Sequence, residues 1–293
     1  MTIKFKDRLN NNKILLLPGI YDALSALLAE QAGFEGVYLS GASIAYTKLG
    51  RSDVGLVSVS EVANTLELIC DRVELPVMVD ADNGYGNALN VQRTVRFFER
   101  AGASAIQLED QSYPKRCGHL SGKVLIKKTE MLGKIHAALD SRKSEETLIV
   151  ARTDAIAVEG FQGALDRAEH YSEAGADIIF VEAPKSIEDM QAIVKRLGSN
   201  VPLLANMVEG GHSPLLTANE LENIGYKIAI FPGGLARAQT YATQKFFNQL
   251  MHDGTTSNML NRMNSFQELN DIIGTNELLS LGKKYAEIKG EDE

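Results

Sequence analysis

The feature that most constrains this chain is a recurrence. Eight short apolar runs lie at 14–17, 37–39, 77–79, 106–108, 148–151, 178–181, 203–205 and 228–231. They are rich in Leu and β-branched residues, too short for helices, and show little alternation. Strands buried on both faces of a parallel sheet read this way. Segments of helical period lie between them, at 23–31, 61–73, 91–101, 130–139, 164–174, 187–197 and 218–224, and one more follows at 235–251. Gly33, Gly102, Gly175, Gly198 and Gly225 stand where helix C-caps are expected. Run starts at 14, 37, 77, 106, 148, 178, 203 and 228 are separated by 23 to 42 residues. A compact strand–helix–strand unit needs about 30 residues, so eight in series predict a (β/α)8 TIM barrel rather than an open sheet. The two longest intervals leave room for extra loop after strands two and four.

A chain of 293 residues admits one such barrel or two smaller domains. The eight runs favour a single barrel domain over 1–293. After the eighth run, 62 residues remain (293 − 231). One helix closes the barrel. A helical extension over about 255–286 is expected to pack on a neighbouring subunit, and 287–293 to be a disordered tail.

The charge balance, 30 Lys+Arg against 38 Asp+Glu, gives −8 and lacks the basic face that nucleic acid requires. No leader-like apolar run opens the chain, and no stretch approaches the length of a membrane span. Two cysteines make no disulfide framework. The expectation is a cytoplasmic protein without nucleic-acid or membrane partners.

In a barrel of this kind the active site gathers at the C-terminal ends of the strands. The residues expected there are polar with a pattern. Strand three leads into Asp80-Ala81-Asp82, strand four into Glu109-Asp110-Gln111 and strand five into Arg152-Thr153-Asp154. Strand six leads into Glu182, strand seven into Asn206, and Arg237 lies one turn into the last barrel helix. Carboxylates on strands three and four face arginines from strands five and eight. That suits a hard divalent cation bridging the protein to an anionic, oxygen-rich substrate. Strand alternation would send Asp80 and Asp82 to one side. With Glu109 and Asp53 they form an oxygen shell for Mg²⁺, which keeps several of its waters. Loop capping is the alternative for such aspartates. The glycine pairs 210–211 and 233–234 suit either an anion site or simple turns.

The long loop after strand four holds Pro114-Lys115-Arg116-Cys117-Gly118-His119. Here a thiol lies between two cations and an imidazole, a setting that favours proton donation or a thiolate. Cys70, in LELICDRV, reads as a core residue instead.

These motifs resemble the isocitrate lyase/phosphoenolpyruvate mutase superfamily. The likeness runs from PGIYDALSA (18–26) to MNSFQEL (263–269). It includes YLSGAS (38–43), VDADNGYG (79–86), LEDQ (108–111), PKRCGH (114–119), ARTDA (151–155), VEAP (181–184) and LANMVEGG (204–211). The KRCGH loop is similar to that of the carbon–carbon lyase branch. The resemblance implies a Mg²⁺-dependent lyase, with Mn²⁺ as a substitute, that cleaves a 2-hydroxy dicarboxylate to pyruvate or a related 2-oxo acid. It implies a tetramer built from helix-swapped dimers.

By the same resemblance, Asp80 is the direct metal ligand, and Asp53, Asp82 and Glu109 hold its waters. Ser40, Gly41 and Ala42 cradle the oxo-acid end. Arg152 and Arg237 bind substrate carboxylates. Cys117 protonates an enediolate, His119, Glu182 and Asn206 support or bind substrate, and Tyr38 is a candidate base. Members that cleave 2-methylisocitrate carry an Arg and a hydroxyl residue for a third carboxylate. Phe266 and Val208 stand at the matching positions here. A buried carboxylate without its Arg is costly, so a dicarboxylate with a small or apolar distal group is expected, as in 2,3-dimethylmalate lyase. Methylisocitrate cleavage, oxaloacetate hydrolysis or decarboxylation, and a carboxyphosphonoenolpyruvate-type mutase are the alternatives. A barrel that only binds a metabolite is a further one.

Overall fold

A computed structural model describes residues 4–118 and 122–286. His119 and the tail at 287–293 therefore lie outside the described residues. Eight strands close a parallel barrel in sequence order. They are β1 (Leu15–Ile20), β2 (Val37–Leu39), β3 (Val77–Asp80), β4 (Ala105–Glu109), β5 (Leu148–Thr153), β6 (Ile178–Val181), β7 (Leu203–Asn206) and β8 (Ile228–Phe231). The ring is sealed where β1 pairs with β8, in the register Leu15 to Ile228 and Leu17 to Ile230. A Cβ on Gly19 would strike the carbonyl of Pro232, so only glycine lets the two backbones meet at this seam.

Every expected run is a strand, and the helices fall where the period places them. Ala23–Gln31, Ile187–Leu197 and Ala218–Ile224 match to the residue. Local chemistry starts several of them. Asp22 with Ser25, Ser58 with Glu61, Asn87 with Asn90 and Thr217 with Glu220 form reciprocal capping boxes. One helix begins earlier than its period suggests, spanning Ile156–Glu173, because it continues across a kink at Gly160, where φ is 79°. The long interval after β2 holds a short helix, Gly41–Ile44, and a π-helical turn, Ala45–Leu49.

Side chains fill the barrel, as in folds of this type. Leu15, Leu17, Met78, Ala105, Val150, Phe180, Leu204 and Ile228 belong to one core cluster. Its N-terminal end is stoppered by a short helix, Phe5–Leu9, whose Phe5 and Leu9 join that cluster. Arg8 of this helix is 4% exposed and donates to the carbonyls of Lys13 and Ile14 and to Glu35.

The chain divides into two units, one ending at Arg237 and the other beginning at Ala238. The second carries most of the helix Gly234–Asp253 and the helices Phe266–Ile273 and Thr275–Ala286. Neither of the last two buries a residue. No helix among the described residues is long and apolar enough to cross a membrane.

Candidate active site

The strand ends place the chemistry. A cavity of about 50 Å³ at this end of the barrel is lined by Tyr38, Ser40, Ala42, Asp53, Asp80, Cys117, Arg152, Glu182, Asn206 and Val208. Lys115, Gly118, Ile230 and Pro232 complete it.

Carboxylates gather on one side. Asp80 ends β3, and its Oδ1 accepts from the Asp82 backbone at 3.0 Å and from Gln107 Nε2 at 3.3 Å. Asp82 does not reach the cluster by strand alternation. The strand stops at Asp80, and Asp82 turns inward through a left-handed backbone, φ 47°. Lys115 stands between the aspartates, its Nζ 2.7 Å from Asp53 Oδ1 and 2.6 Å from Asp82 Oδ1. Burial pushes Asp82 up to about 7, with Asp80 and Asp53 adding to it and Lys115 opposing. Burial would lower Lys115, but the surrounding carboxylates outweigh it and hold its proton firmly. Glu109 is raised by burial against the pull of Arg152, and its Oε1 has no hydrogen-bond partner among the described residues.

This donor set fits a hard cation. All its atoms are oxygens, and one of them, Glu109 Oε1, is buried and unsatisfied. Gly41 leaves the place open, since a Cβ there would stand 3.2 Å from Asp80 Oδ2 and 3.5 Å from Asp82 Oδ1. Among the described residues no three Asp, Glu, His or Cys side chains close around an ion by themselves. A cation here would therefore keep waters in part of its shell.

Arg152 occupies the opposite side. Asp154 takes two hydrogen bonds from it, at 2.9 and 3.0 Å. Glu109 and Glu182 lie 3.4 and 3.3 Å from it, and the Phe180 ring lies beneath. Asn206 donates to Glu182 at 3.0 Å, while Asn206 Oδ1 is buried without a hydrogen-bond partner among the described residues. Ala183, at φ 59°, holds a strained turn just after Glu182. The cysteine loop is fastened at both faces. Gln111 exchanges two side-chain hydrogen bonds with the backbone of Arg116, and Cys117 N–H donates to the Asp53 carbonyl at 3.2 Å.

Three expected residues stand differently. Tyr38 is buried and donates to Gln107 at 3.2 Å; burial and Asp80 hold its proton on. Arg237 is half-exposed and pairs with Glu209 at 3.0 Å, outside the cavity lining. Phe266 belongs to the second unit and is 87% exposed. Sequence reasoning missed the place of Lys115 among the carboxylates. It also missed Tyr46, on the π-helical turn, whose phenol is raised by burial and then by Cys117 and Asp53. Cys70, read as core, is only half-buried, 3.6 Å from the Gly102 carbonyl, and burial raises its thiol to about 11.

A parallel barrel with oxygen donors and guanidinium facing each other across its mouth is the architecture of a (β/α)8-barrel enzyme for anionic substrates. Comparison with known proteins identifies which kind. The family model described as phosphoenolpyruvate phosphomutase matches residues 5–251, and the chain belongs to that family, within the isocitrate lyase/phosphoenolpyruvate mutase superfamily. It is a lyase of that superfamily. It is 42% identical to 2,3-dimethylmalate lyase of Eubacterium barkeri, over 97% of either chain. It is 47% identical to 2-methylisocitrate lyase of Aeropyrum pernix, over 92% of this chain and 86% of that one. A solved 2,3-dimethylmalate lyase superposes with a TM-score of 0.91 at 32% identity, covering 98% of this chain and 96% of that chain. A phosphonopyruvate hydrolase solved with oxalate and Mg²⁺ superposes at 0.87 and 30% identity, covering 97% and 98%.

Proposed function

We propose that this enzyme is a Mg²⁺-dependent lyase, accepting Mn²⁺ as a substitute, that cleaves a 2,3-dimethylmalate-like 2-hydroxy dicarboxylate. The products are pyruvate, or a related 2-oxo acid, and a carboxylic acid. One observation carries the choice of substrate. The cavity wall beside Asn206 is Val208, with Ile230 and Pro232, and the only cations lining the cavity among the described residues are Lys115 and Arg152. That wall suits an alkyl substituent and offers nothing to a third carboxylate.

In this reading Asp80 holds the metal, while Asp53, Asp82 and Glu109 hold its waters. When bound, Mg²⁺ supplies Lewis acidity to the substrate's carboxylate and hydroxyl oxygens. Ser40, Gly41 and Ala42 cradle the oxo-acid end. Arg152 grips a carboxylate, fixed in plane by Asp154. Glu182 and Asn206 orient the substrate, with His119 in support. Arg237 would leave Glu209 to meet the second carboxylate as charge develops on it. Tyr38 donates to Gln107, which holds Asp80, and is the candidate proton acceptor. Cys117 delivers the proton to the enediolate carbon.

A second reading is 2-methylisocitrate cleavage, favoured by the 47% identity to the Aeropyrum enzyme. Mg²⁺-dependent pyruvate release from 2,3-dimethylmalate, 2-methylisocitrate, isocitrate and oxaloacetate separates the two. Dimethylmalate is expected to react fastest; a faster tricarboxylate would overturn the assignment.

The apolar faces of the C-terminal helices need a cover. Phe266, Leu278 and Leu279 are exposed, and the proposed cover is a second copy that swaps these helices, in a tetramer. Light scattering giving a single-chain mass would refute this. Two cysteines held as thiols, Cys70 and Cys117, suit a cytoplasmic location.

A further inference from the structure

A buried carboxylate joins the arginine of the site to the cysteine loop. Asp154 has no exposed surface. Its Oδ2 accepts from Arg152 Nε at 2.9 Å, and its Oδ1 from Arg152 Nη2 at 3.0 Å. The same Oδ1 accepts from Lys123 Nζ at 3.0 Å. Lys123, its side chain 2% exposed, also donates to the carbonyl of Gly118, the residue after Cys117. One ammonium thus ties the backbone next to the thiol to the carboxylate that orients the guanidinium.

The tie is anchored from beneath. The Asp154 backbone N–H donates to Asp110 Oδ1 at 2.9 Å. Asp110 Oδ2 is held in turn by Thr153 at 2.7 Å, Tyr171 at 2.8 Å and Arg167 at 3.3 Å. The loop meets the arginine directly as well. A Cβ on Gly118 would collide with Arg152 Nη2 and stand 2.9 Å from the Glu182 carboxyl. Burying two charges is costly before their mutual attraction is counted. An apolar pair would fill the same space without that cost. What an apolar pair lacks is a fixed direction, and here the direction runs from Arg152 to the neighbour of Cys117.

We propose that Lys123 and Asp154 are positioning residues: as a unit they set the Cys117 thiol at a fixed place relative to the Arg152 guanidinium. The tie stays charged at working pH. Burial would raise Asp154, yet Arg152 and Lys123 outweigh it and hold the carboxyl near 2. The proposal rests on the lyase reading only for what Cys117 does once placed; the placement itself can be read without substrate.

The test is the rate at which iodoacetamide alkylates Cys117, followed by peptide mass spectrometry with Cys70 of the same molecule as the reference. Lys123→Met is expected to raise the Cys117/Cys70 rate ratio by about fivefold or more as the loop loses its tie. Lys123→Arg, which keeps the charge and the donors, is expected to restore most of the wild-type ratio. Asp154→Asn keeps the shape and removes the charge, and it serves in the same assay if Lys123→Met does not fold. In turnover, Lys123→Met should lower kcat by about tenfold with little change in KM, the signature of a proton donor out of place. Asp154→Asn should raise KM as well, because Arg152 loses its two-point partner. An unchanged Cys117/Cys70 ratio in Lys123→Met overturns the proposal even if turnover falls. A raised ratio, restored by Lys123→Arg, in an enzyme that releases no pyruvate from any tested acid refutes the lyase reading and leaves the positioning role standing.

Discussion

The two ends of the barrel are built from the same eight strands and have opposite chemistry. At the N-terminal end Phe5 and Leu9 close the interior with apolar surface, and Arg8 spends its donors on backbone carbonyls. At the other end Asp80, Glu109 and Asn206 close their strands and Arg152 stands one residue before the end of its own, all buried and charged or polar. The first end gives stability and leaves one buried donor, Arg8 Nε, without a partner among the described residues. The second accepts raised carboxylates and orphaned oxygens, features that a ligand would satisfy. The division of labour can be broken by mutation, one end at a time.

The largest effect is expected at the charged end. Cys117→Ser should lower turnover by about 10²- to 10⁴-fold, with Mg²⁺ binding and Tm unchanged; Asp80→Ala should lose both activity and Mg²⁺ affinity. Calorimetric titration with Mg²⁺ checks the pair, and a Cys117→Ser protein that no longer binds metal would contradict the division of roles. At the apolar end, Phe5→Ala should cost about 3–5 kcal/mol of stability while KM stays put. Urea unfolding and steady-state kinetics on one preparation show whether the two ends are separable. The smallest effect is expected from the salt link outside the stopper. A hydrogen bond from Arg8 holds Glu35 below its ordinary 4.5, against a smaller opposing effect of burial. Its contribution is therefore complete above about pH 4.5 and is lost as pH falls through the lowered folded value. Glu35 is half-exposed, so screening keeps the contribution under about 1 kcal/mol. Glu35→Gln should narrow the difference in Tm between pH 6 and pH 3; an unchanged difference would show that the link is silent.

The same contrast explains what was legible beforehand. The strands could be placed because runs such as 178–181 are apolar from end to end and are bounded by capping residues. Several ran further than hydropathy suggested. β3 takes in Asp80 and β5 takes in Arg152 and Thr153, since the polar ends of barrel strands still pair with their neighbours. The stopper helix was missed because five residues carry too little period to detect. At the site, residue types at strand ends were enough to gather most of the cavity lining. Lys115 escaped because its place depends on how far a loop folds back, and Asp82 arrived by a turn that no alternation rule describes. Arg237 reads as a binder of a substrate carboxylate, and in the structure the carboxylate of Glu209, 28 positions away in sequence, meets it.

The seam between the first and last strands bears on how the chain is made. Leu15 pairs with Ile228, so β1 waits for 213 further residues (228 − 15) before its second edge is covered. At the usual pace of synthesis that is roughly 10–40 s. Through that interval the nascent protein is an open sheet with a bare parallel edge, the form most prone to join a neighbour. Ribosome-bound chains that end before residue 228 are where a need for chaperones should be greatest.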